Sequence, residues 1–255
     1  MTRMEKISPH HPRAESLRIR ARLAEGFRAG LVVPEGLAAH GRGEAFDYIL
    51  GERTTGQAKR AIEAAGAMLL LAEHPVISVN GNTAALVPEE VVRLAKAVNA
   101  GIEVNLFHGS RKRESAIAGW LKKHGADEVL GTDPKFSTRI KEIHSDRRKV
   151  DRRGIAAADV VVVPLEDGDR TEALKRLGKR VIAIDLNPMS RTARAADVTI
   201  VDNIVRAMPL LAKTAESLSH QPRAGLREKV ENFDNVANLR AMLRLMCRRL
   251  KNLAE

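Results

Sequence analysis

"ADVVVVPLEDGDR", residues 158–170, decides how the rest of the chain is read. Four successive valines leave no polar face, so the segment reads as a strand covered on both sides, the situation of a parallel sheet between helical layers. An acidic, glycine-containing turn follows it, and a short helix over 169–177 stops at Gly178. Similar units lie on either side. Towards the C-terminus come the strands "RVIAID" (180–185) and "VTIV" (198–201). Towards the N-terminus come "PVISVN" (75–80), "IEVNLF" (102–107) and a short strand at 127–130.

Helices separate these strands. One spans about 55–73, with Ala58, Ile62, Ala65 and Leu69 on one side. A second opens at Pro88-Glu89-Glu90, a start signal, and stops at Asn99-Ala100-Gly101. A third covers 111–124 and is closed by Gly125. Strands alternating with helices imply right-handed crossovers, and so an α/β, Rossmann-like fold: a mainly parallel sheet flanked by helices, with helical N- and C-terminal segments. The expected organisation is a single domain over 1–255. Residues 1–73 form a helical part with a Gly/Arg loop, 74–218 the core, and 219–255 the terminal helices.

The N-terminal part has a helix over 13–30, and glycine-rich 34–56 reads as a loop. Basic residues 132–153 read as a loop or a mobile helical insert. After Asn203 a helix carries Pro209 early, so it is kinked or starts late. Val236, Leu239, Leu243, Met246, Leu250 and Leu253 step by threes and fours, an a/d seam that is either a docked terminal helix or a subunit interface. Cys247, the one cysteine, beside that seam, is expected to be a small buried hydrophobe.

Composition narrows the function. Only 3% of the 255 residues are aromatic, so an aliphatic core is expected and the stacking platforms of single-strand nucleic-acid binders are missing. A net charge of +11 favours anionic partners. A single cysteine excludes an intrachain disulfide and a cysteine-rich metal site. The N-terminus has no apolar signal core and no stretch is long enough to span a bilayer, so a cytoplasmic chain without membrane or nucleic-acid partners is expected.

In open parallel sheets, ligands bind beyond the carboxyl ends of the strands. Every strand end here is polar: Asn80-Gly81-Asn82, then His108-Gly109-Ser110 with Arg111 and Arg113, then Glu166-Asp167-Gly168-Asp169-Arg170, Asp185-Leu186-Asn187, and Asp202-Asn203. Ser190 and Asn203 are candidate helix caps. Asp185 to Asn187 suit a sugar or base, and Arg191 with Thr192 a phosphate. The plainer alternative is that Ser190 and Asn203 only cap and Arg191 is solvated. Neither a Walker loop nor a dinucleotide fingerprint occurs. Gly41-Arg42-Gly43 is either an anion-binding nest with Arg42 as donor or a tight structural turn. Asp167 and Asp169 suit Mg²⁺ or the ammonium of an amine substrate, or else Asp169 caps a helix. His40, His74 and His108 lack metal-site spacing; His40 is a candidate base.

Five stretches resemble the archaeal-type phosphopantothenate synthetases, or 4-phosphopantoate–β-alanine ligases: "GLAAHGRGEAFDYILGERT" (36–54), "LLLAEHPVISVNGNTAALVPEE" (69–90), "KVDRRGI" (149–155), "ADVVVVPLEDGDRTEAL" (158–174) and "VIAIDLNPMSRTARAADVTIVDNIVRAMP" (181–209). The resemblance implies a homodimeric, ATP-dependent ligase of coenzyme A biosynthesis that releases AMP and diphosphate. It implies ATP contacts at Arg20, Arg42, Asp185, Leu186, Asn187, Arg191, Thr192, Asn203 and Ile204. Asn80, Asn82 and Arg113 are the candidates for substrate, with Arg113 on the phosphate of phosphopantoate. Arg42, Arg191, Asp169 and His40 are the catalytic candidates, and Asp167 and Asp169 those for Mg²⁺. Another nucleotide-dependent ligase or transferase on the same scaffold, or a basic nucleic-acid-binding module, are the competing readings.

Overall fold

The computed structural model describes residues 7, 8 and 10–255. Three helices precede the sheet: α1 (Ala14–Arg28), α2 (Pro34–Leu50) and α3 (Gly56–Leu71). Then come β1 (Pro75–Val79), α4 (Gly81–Leu86), α5 (Pro88–Val98), β2 (Gly101–Val104) and α6 (Arg111–Lys123). A hairpin of β3 (Ser137–Arg139) and β4 (Lys149–Asp151) interrupts the alternation. It resumes with β5 (Val160–Pro164), α7 (Gly168–Arg176), β6 (Arg180–Ile184), α8 (Arg191–Ala195) and β7 (Val198–Ile200). The chain closes with α9 (Ile204–Leu218), α10 (Arg223–Glu231) and α11 (Asn235–Ala254).

The main sheet is parallel, in the order β2-β1-β5-β6-β7. With the hairpin set aside this is the 2-1-3-4-5 order of a doubly wound sheet, whose winding reverses between β1 and β5. The valines of β5 account for its central place. Val160 and Val162 join the core beneath α3, α5 and α9, and Val161 and Val163 join a second core beneath α7 and the hairpin. A polar residue at any of the four would be buried on one face or the other.

Several elements depart from the sequence expectation. Residues 34–50 are a helix. Pro34 and Glu35 occupy its first turn, and Gly51, at φ 91°, closes it with its N–H on the carbonyls of Asp47 and Tyr48. A side chain at Gly36 would put its Cβ 2.5 Å from Asn82 Oδ1, so glycine there lets α2 lie against the sheet rim. Residues 132–153 are neither a free loop nor an α-helical insert: two short 3-10 turns, Pro134–Phe136 and Asp146–Arg148, precede β3 and β4, which pair antiparallel, and Ile140, Ile143 and Val150 are buried against the sheet. Helix α9 starts directly at Ile204 and runs through Pro209; its Ala207, Met208, Leu211 and Ala212 are buried, which offsets the lost backbone bond. The stretch 127–130 contributes one bridge, Glu103 to Leu130, and α4, unforeseen, follows Asn80.

On α11 the seam divides. Leu239 and Met246 dock with Met242 against α2 and β7, whereas Val236, Leu250 and Leu253 remain exposed. Cys247 is exposed, not buried, because the docked stripe runs through 239, 242 and 246 and leaves it on the outer side.

Charge holds α2 in place. Arg206 of α9 pairs with Asp47 of α2 (2.5 Å) and with Asp202 (2.8 Å), and Asn203 donates to the other Asp47 oxygen (2.8 Å). Burial alone would lower the Arg206 pKa, but hydrogen bonding and charge from Asp47 and Asp202 outweigh it and raise the value. Asp47→Ala would leave Arg206 short of its partner and should cost about 3 kcal/mol, near the low end for breaking a buried ion pair. Chemical denaturation measures it, and a change within about 0.5 kcal/mol, the range of ordinary surface substitutions, would contradict this role.

Candidate active site

Two pockets open at the carboxyl ends of β1 and β5, where the winding reverses. Asn80 fixes this junction. Its Nδ2 donates to the carbonyls of Pro164 (3.0 Å) and Leu165 (3.1 Å), and its Oδ1 caps α4 by accepting from Thr83 N. Asn82 Nδ2 donates to the Gly36 carbonyl (2.8 Å), which ties α4 to α2. Leu165 takes φ 53°, a left-handed conformation unfavourable for leucine, as the chain turns out of β5.

The wider pocket, of about 410 Å³, gathers most of the residues named from sequence. His40 and Arg42 reach it from α2; Asp185, Leu186 and Asn187 come from the end of β6; Arg191 and Thr192 from α8; Asn203 and Ile204 from the start of α9. The narrower pocket, of about 310 Å³, takes Asn80, His108, Arg113 and Arg147. Ala39, Asn82, Leu165 and Asp167 line both, so the two adjoin. Arg20 and Asp169 line neither.

Individual geometries sharpen these roles. Burial raises the Asp185 pKa, against hydrogen bonds from Ser190 Oγ and the Asn187 amide and the charge of Arg42. Ser190 caps α8 by accepting from Ala193 N (2.9 Å). Thr192 Oγ1 donates to the Glu166 carbonyl (2.9 Å). Asn203 is committed twice, to Asp47 and as the cap of α9. Arg191 pairs with Glu172 of α7 at 2.8 Å on an exposed surface. Residues 41–43 lie inside α2, so the expected Gly-Arg-Gly nest does not form: the N–H groups there belong to a helix, and Arg42 reaches the pocket as a side chain alone. Burial lowers the His40 pKa below the ordinary 6.5, and its Nε2 is enclosed without a hydrogen-bond partner among the described residues.

The three acids of "EDGDR" separate. Glu166 is fully buried between Arg147 and Arg170; Asp167 faces both pockets while accepting from Arg147 Nε at 2.7 Å; Asp169 sits in the first turn of α7. Arg147 is the residue that sequence reasoning missed, because nothing in "SDRRKVDRR" distinguishes it from its basic neighbours. In the narrow pocket it lies close enough to Arg113 that, after burial, its charge is the main influence lowering the Arg113 pKa. The recess thus holds two guanidinium groups together with the acids Glu35 and Asp167. Among the described residues no three His, Cys, Asp or Glu side chains converge to hold a metal, and no helix is long and apolar enough to cross a membrane.

A doubly wound parallel sheet with two adjoining polar pockets at its reversal point is the arrangement in which α/β proteins hold their ligands. A family model described as phosphopantothenate/pantothenate synthetase matches residues 57–249. A 4-phosphopantoate–beta-alanine ligase of Thermococcus onnurineus is 53% identical over 253 residues, covering 99% of this chain and 96% of that one. Proteins of the same name from Thermococcus kodakarensis and Methanosarcina mazei are 52% and 49% identical, with 99% and 98% of this chain covered, and 96% and 98% of theirs. The chain belongs to the phosphopantothenate/pantothenate synthetase family.

Arg20, implied as an ATP contact, pairs with Glu44 of α2 (2.6 Å), and Ser16 donates to the same carboxylate (2.7 Å). Burial pushes the Glu44 pKa up, but the hydrogen bonds from Arg20 and Ser16 and the Arg20 charge prevail and hold it at about 2. The folded value lies below the ordinary 4.5, so this contribution to stability is present above pH 4.5 and is lost as pH falls towards about 2. Glu44→Gln should flatten the acid side of the melting-temperature profile over that interval. An acid slope identical to that of the parent would show that the α1–α2 contact does not depend on this charge.

Proposed function

We propose that the chain is an ATP-dependent ligase that joins 4-phosphopantoate to β-alanine, releasing AMP and diphosphate. The observation that carries this reading is that the two pockets adjoin at Asn82, Leu165 and Asp167. A nucleotide in one and a phosphorylated acid in the other would meet at that junction. The relatives' names supply the substrates, and the pockets supply chemistry suited to them.

An amide cannot form directly from a carboxylate at neutral pH, because the leaving group would be oxide. The carboxylate of phosphopantoate would attack the α-phosphorus of ATP, forming an acyl-adenylate as diphosphate leaves. The amine of β-alanine would then attack the acyl carbon, losing a proton, and AMP would depart. The protein's part is to bring two anions together and neutralise the charge that develops. Asp185 and Asn187 suit the nucleoside, with Leu186 and Ile204 as its apolar wall and Thr192 and Asn203 on the rim. Arg42 reaches the phosphates, and Arg191 does so after leaving Glu172. Arg113 and Arg147 suit the phosphate of phosphopantoate, and Asn80 and Asn82 keep the recess in shape. His40, neutral at working pH and with a free Nε2, is the candidate base for the amine.

Mg²⁺ needs few protein ligands when phosphates provide the rest. Asp167 fits that requirement: its Oδ1 has no hydrogen-bond partner among the described residues, and it borders both pockets. Asp169, two residues on, is the second candidate. Mg²⁺ would offset phosphate charge. We also infer a cytoplasmic homodimer, for which the exposed Leu250 and Leu253 of α11 offer an apolar face.

Release of AMP that requires both phosphopantoate and β-alanine is the expected result; release with neither, or with a different amine preferred, would assign another ligase activity. Arg113→Ala should raise KM for phosphopantoate by about 10- to 100-fold, the worth of a charged hydrogen-bonded contact, with little change in KM for ATP. His40→Gln should remove the acid limb of kcat, which in the parent should lie below pH 6.5. A persistent limb would exclude His40 as the base.

A further inference from the structure

The carboxylate of Glu166 is shut off from solvent, yet it does no chemistry in the mechanism above. It accepts from Arg147 Nη1 at 3.0 Å and lies 2.8 Å from Arg147 Nε as a charge partner, while the Nε–H itself goes to Asp167 (2.7 Å); it also holds Arg170 Nη1. Arg170 is anchored in turn to Ser78 Oγ of β1 (3.0 Å). The main chain of the same residue faces the other way: its carbonyl accepts the Thr192 hydroxyl. One residue therefore touches a side chain of each pocket, Arg147 in the narrow one and Thr192 in the wide one.

Arg147 depends on this arrangement. It arrives from the hairpin segment, and beyond Glu166 its partners are Asp167 and the Asn105 carbonyl (3.0 Å). Its Nη2 has no partner among the described residues, and the group lines the narrow pocket, where Arg113 repels it. Glu166 is the one carboxylate that contacts both Arg147 and Arg170, so removing its charge leaves Arg147 with the half-exposed Asp167 and Arg170 with the more distant charge of Glu103. The fork of an arginine is rigid and planar, so fixing Nε and Nη1 fixes the direction of Nη2. An anion that draws on Nη2 must pull on Glu166, and residue 166 is the partner of Thr192.

On the reading of the two pockets given above, we propose that Glu166 is a positioning residue that couples them: an anion seated against Arg147 stiffens the chain at 166 and so favours the nucleotide held beside Thr192. By reciprocity, the nucleotide favours the anion by the same factor.

The test is equilibrium binding without β-alanine. The non-cleavable nucleotide α,β-methylene-ATP is titrated with and without saturating 4-phosphopantoate. In the parent, phosphopantoate should tighten the nucleotide by about 5-fold or more, within the usual range for coupled sites. In Glu166→Gln that factor should fall to near one. Affinity for the nucleotide alone should change little, because the acceptor for Thr192 is main chain and survives the substitution. Should Glu166→Gln not fold, Arg147→Lys keeps the charge but loses the two-point grip, and it should show the same loss of coupling. A lowered melting temperature with the parental coupling factor retained in whichever variant folds would reduce Glu166 to a structural role and overturn the proposal. So would a parent that binds both ligands independently. A parent that binds neither ligand would instead sink the ligase reading itself, which Arg113→Ala and the AMP assay address separately.

Discussion

The buried charge network around Arg206 is the strongest polar tie between α2 and the sheet. The helix brings His40 and Arg42 to the wide pocket, but its glycine-rich sequence buries little of its own surface. Arg206 provides what an apolar stripe would otherwise supply, gripping Asp47 from the first turns of α9 while Asn203 takes the second oxygen. Thr54 donates to Asp202 (2.6 Å), so the exit from α3's leading loop is drawn to the same point. The end of β7, the start of α9 and the length of α2 thus form one unit, and one wall of the wide pocket is a property of that unit.

The hairpin is held on a similar principle. With few aromatics available, a short β-pair cannot be fixed by large apolar contacts, and buried carboxylates take over. Glu103 of β2 is fully enclosed; its oxygens accept the Asp151 amide at 3.0 Å and the Ile155 amide at 2.6 Å. Burial raises its pKa to about 7 in spite of those amides. A Cβ on Gly154 would lie 2.0 Å from the Glu103 carboxylate, so glycine is what lets the chain wrap this closely. Glu103 secures the base of the hairpin and Glu166 secures Arg147, which the hairpin carries. Both acids accept several donors, the condition under which a buried charge is tolerated.

How much of this was legible follows from the kind of signal each part leaves. The valines of β5 announced a strand covered on both faces because hydropathy is read directly along the chain. The caps at Ser190 and Asn203 were legible because residue type and position before a helix carry the information. The expected rim of polar strand ends is also present, and Asn82, Glu166 to Gly168, Asp185 to Asn187 and Asn203 share one cavity. Helix α2 was missed because its evidence is tertiary: an ion pair across 159 positions and a glycine set against Asn82. The hairpin was missed because its strands span three residues each and its burial comes from Ile140, Ile143 and Val150, scattered among charges. Arg147 gave no signal at all. Its distinction from Arg148 is the direction it faces, which no residue pattern records.

The walls of the wide pocket come from segments near 40, 82, 166, 187, 192 and 204, so no fragment of the chain contains the cavity. It comes into existence only when the two halves of the sheet have joined. A nucleotide bound there therefore acts by mass action on the whole unfolding equilibrium: at a hundred times its dissociation constant it would add about 2.7 kcal/mol. The supply of co-substrate in the cell would thereby govern the lifetime of the molecule as well as its turnover, since chaperones and proteases act on the unliganded, opened population.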